Sequence, residues 1–256
     1  MSGPTNTKTQ SDAIDMLLCR GELYAVLALL YRHPSSIRKE SLLQEQRASW
    51  KEAVSLLNFP DKAPLETSLD LLSRDLEEIH DQKWVSLYEG CFSHTAHGTV
   101  SSYELEYGEE HTHRQPQQLG DIAAFYQAFG LKISEKIHER VDHIAVECEL
   151  MHVLLFKEAY ALEHHGQENA EICRQASCRF LSEHLGQWAP SFAMRLAKYA
   201  REGLFKHLAD VTLFFIVEDC HNQKIIPGPR DLLVRSVNEK VDTGCVSCSL
   251  KADLPC

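Results

Sequence analysis

The residues with the most obvious chemical capacity are histidines and cysteines: the chain holds 14 of the former and 9 of the latter in 256 residues. His111 and His113 flank Thr112 beside Glu109 and Glu110. Imidazole and carboxylate together can hold zinc or another divalent ion. No H-E-x-x-H or comparable spacing accompanies them, so a solvated polar loop is the favoured reading. Near the C-terminus, Cys245-Val-Ser-Cys248 places two thiols at a spacing that converges on one ion, with Cys256 further along. Three thiols leave a tetrahedral set incomplete, and a fourth ligand would have to come from elsewhere. The alternative is a flexible, reducible tail. The other six cysteines, Cys19, Cys91, Cys148, Cys173, Cys178 and Cys220, sit in helical patterns and read as small buried thiols.

Asp142, His143 and Glu147 form a third constellation. Neighbouring helical residues point about 100° apart, so Asp142 and His143 are awkward co-ligands of one metal. His143 and Glu147 are four apart and share a face. That face is either an ordinary ion-paired one or a polar spot that meets a partner. Glycine-rich phosphate loops are absent, as is a G-x-S-x-G elbow. No catalytic residue and no cofactor is expected.

Elements that must position these residues follow the helical period. Apolar stripes mark helices over 12–32, with Ser11 as cap and Pro34 past the end, then over 37–57, 65–80 and 82–92. Residues 93–117 break the period with Gly98, Gly108, Pro116 and a Ser/Thr/His/Glu cluster, predicting a long loop across the surface. The period resumes over 118–129, 134–165, 168–185, 190–201 and 204–220. From 221 onward Pro227-Gly228-Pro229 interrupts the chain, and an extended tail is expected, with one short helix near 230–239. No strand alternation stands out. The expectation is an all-α, single-domain helical bundle over 11–222, a disordered N-terminus over 1–10 and an extended Cys-containing tail over 223–256.

The formal net charge of −11 argues against nucleic acid, which demands concentrated Lys and Arg, and suits a basic peptide or protein partner. No apolar run approaches the roughly 20 residues of a membrane span, and Met1–Asp15 lacks a secretory h-region. A cytoplasmic protein without stable membrane insertion is expected.

Five segments, in order, resemble a known family. Asp142-His143-Ile144 followed by Glu147-Cys148-Glu149-Leu150-Met151 resembles the D-H-[IL]-x-x-E-L-x-F-M signature of the TorD/DmsD/NarJ chaperones. Trp84-Val-Ser-Leu87-Tyr88-Glu-Gly-Cys-Phe92 resembles the family's aromatic helix, and Ser101-Ser102-Tyr103-Glu-Leu-Glu-Tyr107-Gly108 resembles its P-P-Y-E-S-x-Y loop. Gln117 through Leu131 is similar to the next helix, and Phe180-Leu-Ser-Glu-His184-Leu185-Gly-Gln-Trp188 to F-x-x-x-H-L-x-x-W. Val141 stands where some members have Pro, and the loop's paired prolines are missing. Within the family, the chain most resembles chaperones of type II DMSO-reductase-like enzymes.

The resemblance implies a TorD-like bundle and a non-enzymatic function. It implies a partner, the apo catalytic subunit of a molybdenum oxidoreductase with its twin-arginine signal peptide, held back from export until the molybdopterin cofactor is inserted. Trp84, Leu87, Tyr88, Tyr103 and Tyr107 would supply an apolar groove, with Tyr103 and Tyr107 the favoured contacts. Asp142 and Glu147 would meet the peptide's arginines, and His143 would orient Asp142 or donate to the peptide backbone. The competing reading is a metal-binding protein or an accessory subunit of a redox complex.

Overall fold

A computed structural model of the chain describes residues 4–39, 42, 47–92, 99–108, 115–132 and 139–235. The His111/His113 loop and the cysteines Cys245, Cys248 and Cys256 lie outside the described residues. Those described form an all-helical body. Helix α1 is Pro4–Leu30, α2 Arg47–Leu56, α3 Ala63–Glu78, α4 Asp81–Phe92 and α5 Gln115–Ala128. After the loop come α6 Ile144–His164, α7 Gln167–Phe180, α8 Gly186–Ala200 and α9 Leu204–Asn222. Among the described residues no helix is long and apolar enough to cross a membrane.

The helices form where their apolar stripes meet. In α3, Leu65, Leu69, Leu72 and Leu76 recur at three- and four-residue steps and are all buried. Asp61 starts that helix by accepting the Ala63 N–H at 3.1 Å, and Pro64 occupies its first turn, where a missing N–H costs nothing. Helix α1 packs chiefly on α6, α6 on α7, α9 on α8 and α3, and α2 on α1. One aromatic seam crosses the interior: Tyr31, Phe92, Phe192 and Phe205 meet edge-on or stacked, with Tyr88 and Trp188 at its margins. Deep in the core, Arg20 Nε and Nη2 grip the Asp219 carboxylate at 2.7 and 3.1 Å, and the Tyr24 hydroxyl donates to it at 2.8 Å.

Several boundaries differ from the sequence expectation, each for a local reason. Helix α1 begins at Pro4, inside the stretch read as disordered. Within the described part of the stretch 134–165, which resumes at 139, the helix starts at Ile144, because His143 is extended (φ −79°, ψ 138°) and caps it. Asp142 and His143 therefore precede the helix and do not lie on one of its faces. No break separates α7 from α8: Leu181–Leu185 form a π-helical turn between them. Residues 99–108 do not cross the surface, since Val100, Ser101, Ser102, Leu105, Glu106 and Tyr107 are buried.

The segment after α9 is extended, as expected, but it is bound to the body, and its described part contains no helix. Pro190 lies inside α8 and has no N–H to offer the carbonyl of Gly186 four residues back. That carbonyl instead accepts the Gly228 N–H at 2.9 Å. A Cβ on Gly228 would run into the Gln187 backbone, so only glycine seats there. Ser191 ties the strap on both sides, donating to Pro229 O at 2.7 Å and accepting Leu232 N–H at 2.9 Å.

Two outcomes are expected. Asp219→Asn leaves Arg20 buried without its counter-ion and should lower unfolding stability by about 3–5 kcal/mol in urea titration. Gly228→Ala should make residues 225–235 sensitive to limited proteolysis while the circular dichroism spectrum stays helical.

Candidate functional site

Four of the five sequence motifs meet at one loop–helix junction. Tyr103 and His143 pair as an antiparallel bridge, with Ile144 N donating to Ser102 O and Glu104 N to Asp142 O, both at 2.9 Å. Asp142 holds this junction with its side chain as well. Its fully buried carboxylate accepts Arg140 Nε at 2.9 Å and Nη2 at 2.6 Å, and the Leu105 N–H at 3.2 Å. Arg140 also reaches Glu106 at 3.2 Å and lies over the Tyr103 ring, 4.7 Å from its centroid. Tyr103 in turn donates to Glu139 at 2.6 Å.

His143 serves the backbone. Its Nδ1 accepts the Ala145 N–H at 3.2 Å, capping α6, and its ring meets Tyr103 edge-on at 5.0 Å. Burial lowers its pKa to about 4, so the ring is neutral at physiological pH, with its proton on Nε2.

Glu147, in the first turn of α6, is fully buried and accepts Trp188 Nε1–H at 3.0 Å. Its other oxygen faces the Glu104 carboxyl. Burial first, and the charge of Glu104 second, push this carboxyl well above the usual range. Trp188 carries the contact onward to Tyr107, ring centroids 5.3 Å apart, and the Tyr107 hydroxyl donates to Ser101 O at 2.7 Å. The strap closes this side: Tyr107 bridges Val234, Gly108 N donates to Leu233 O and Arg235 N to Glu106 O, both at 2.9 Å.

The expected peptide-binding residues are thus mostly internal. Asp142 and Glu147 are fully buried and occupied from within the chain, so neither presents a free carboxylate to an arginine. Trp84, Tyr88 and Tyr107 are core, and Tyr88 donates to Tyr31 O at 3.2 Å. Tyr103 is half-buried beside Arg140. Leu87 is half-buried too, but it lines a different cleft, between α4 and α8, with Arg195 and Lys198.

What the junction does expose is a cleft of about 700 Å³ between α5 and the C-terminal part of α7. Glu104, Asp121, Glu183 and His184 line it with Phe125 and Phe129. The π-turn aims His184 at Glu104, its Nδ1 lying 3.2 and 3.3 Å from the two carboxylate oxygens. Arg179, the cation of the cleft, is held by Glu183 at 2.9 Å and lies 5.5 Å from the Phe125 ring centroid. With Arg179 spoken for, Glu104 and Asp121 leave the cleft acidic beside an aromatic wall. Sequence reasoning missed these residues because it weighed single motifs. Glu104, Phe125 and His184 each lay inside a quoted motif, but nothing in the motifs says they share one cleft. Among the described residues no group of His, Cys, Asp or Glu is placed to hold a metal.

Comparison with known proteins is consistent with this convergence. Residues 60–194 match the family described as nitrate reductase delta subunit. A protein of Vibrio cholerae serotype O1 (El Tor Inaba N16961), named chaperone protein TorD, is 33% identical over 189 residues, covering 73% of this chain and 76% of that protein. The protein of the same name from the Classical Ogawa strain is 26% identical over the same shares, and that of Photobacterium profundum 24% identical over 67% of this chain and 69% of its own length.

The raised Glu147 pKa has a consequence for stability. The folded state binds a proton there that the unfolded chain releases near its ordinary range, so stability from this group is present at low pH and declines as pH rises towards the folded value. Glu147→Gln keeps the acceptor for Trp188 and removes that linkage. The variant should gain on the wild type by up to about 1.4 kcal/mol per pH unit above the unfolded carboxyl's range. Urea midpoints at pH 5 and pH 8 measure it, and an unchanged difference between the two would show that Glu147 is ionised in the fold.

Proposed function

Since the chain belongs to the nitrate reductase delta subunit family and its relatives are named chaperones, we propose that it is a cytoplasmic chaperone dedicated to one molybdenum oxidoreductase. On this reading it binds the twin-arginine signal peptide of the apo catalytic subunit. It delays export while the subunit remains open for its molybdopterin cofactor.

The observation that carries the peptide-binding reading is the cleft of Glu104, Asp121 and Glu183 against Phe125 and Phe129. A signal peptide combines guanidinium groups with an apolar stretch. Carboxylates meet the former in bidentate geometry, and an aromatic wall between helices buries the latter. The residues first expected to touch the peptide have a supporting role here. Asp142, Arg140 and His143 hold the 102–106 loop in place, and that loop carries Glu104. Trp84 and Tyr88 fill the core behind α4. No catalytic step is needed: binding energy is used to keep a client segment from other partners.

Calorimetric titration of the full chain with the cognate signal peptide tests this. Phe125→Ala should weaken binding about tenfold or more, as loss of a central aromatic contact does. Asp121→Asn should weaken it less and flatten its dependence on salt. Leu87→Ala, in the other cleft, should leave it unchanged. A folded protein that takes up no peptide at high micromolar concentration would sink the reading.

A further inference from the structure

A second cavity, of about 830 Å³, opens away from the cleft, where the middle of α1 meets the last turns of α6 and the first turns of α7. Gln10 Nε2 clips one edge by donating to Leu162 O at 2.6 Å. Met16, Leu17, Leu162 and Ala170 supply apolar wall. Among them stands Glu158, only 6% exposed, whose Oε2 is shielded from solvent and has no hydrogen-bond partner among the described residues. Both arginines of the cavity are already engaged: Arg20 grips Asp219, and Arg174 grips Glu171 at 2.6 and 2.7 Å. Asp12 adds a further carboxylate to the lining.

A buried carboxyl oxygen without a partner costs free energy, and a fold retains such a group most readily where something completes it. The surroundings specify the complement. It must donate hydrogen bonds, because Glu158 can accept them. It is favoured by positive charge, because both arginines hydrogen-bond other carboxylates and leave Glu158 and Asp12 without a hydrogen-bonded cation among the lining residues. It must carry an apolar stem, because the walls beside Glu158 are aliphatic.

We propose that this cavity binds an aliphatic cation, an ammonium or guanidinium group on an alkyl stem, with Glu158 as its anchor. A free alkylamine or alkylguanidine has this chemistry, and so does the side chain of a Lys or Arg in a client segment. Burial raises the Glu158 pKa to about 7 while the site is empty, and a bound cation would draw it down. The cavity lies apart from the peptide cleft, and failure of free cations to bind would leave the peptide reading untouched; only the client-side-chain arm rests on that reading.

The test is calorimetric titration of the full chain with agmatine and with cadaverine, with butyrate as the anionic control. Glu158→Gln, which keeps shape and removes charge, should weaken cation binding about tenfold or more. Ala13→Trp, at an exposed lining position, should block it by filling the mouth, while Phe125→Ala should leave it unchanged. If free cations fail but Glu158→Gln weakens signal-peptide binding, the occupant is a client side chain and the proposal stands. If folded Glu158→Gln protein binds both cations and peptide as the wild type does, or if butyrate binds as well as agmatine, the proposal is overturned.

Discussion

Asp142 sits at 0% exposure, where a lone carboxylate would be costly, and the surrounding chain is arranged to satisfy it. Arg140 closes on both oxygens, the Leu105 N–H reaches one of them, and the Asp142 carbonyl takes the Glu104 N–H. Through that one residue the 99–108 loop is anchored to the start of α6, and with it Glu104 is presented to the cleft. His143, next in the chain, caps α6 and so sets where the helix begins. The Asp-His pair is therefore structural: both side chains are buried and hold the loop and the start of α6 together.

The other side of the junction depends on a defect placed in a helix. A proline in α8 withholds one N–H, the π-turn before it shifts the register, and the carbonyl of Gly186 is left for an outside donor. The strap after α9 answers with Gly228 and then runs on to pair with Glu106, Tyr107 and Gly108. The same π-turn carries His184 to Glu104. A break in helical regularity thus does two jobs, seating the C-terminal segment and shaping the cleft.

Helix α7 links the two recesses. Its first turns, with Ala170, Glu171 and Arg174, line the Glu158 cavity, and its last, with Gln175 and Arg179, line the acidic aromatic cleft. In both places the cations are engaged by neighbouring carboxylates, Arg174 by Glu171 and Arg179 by Glu183.

Helical class, approximate helix positions and the family were all legible in the sequence, because a 3.6-residue apolar period and short ordered motifs are local properties. The aromatic helix 82–92 was found within one residue at its start, since Trp84, Tyr88 and Phe92 repeat on one face. What a residue does at its position was not legible. Asp142 and Glu147 look alike in sequence, two carboxylates near a helix start. Yet one is neutralised by Arg140, while the other has its pKa raised by burial and accepts the Trp188 N–H, and both environments are set by packing. The tail after Pro227 read as free because its apolar content is low, whereas its attachment comes from backbone hydrogen bonds that composition does not encode. Periodicity along the chain decided which faces are buried; only the meeting of distant segments decided which charges are satisfied and which remain for a partner.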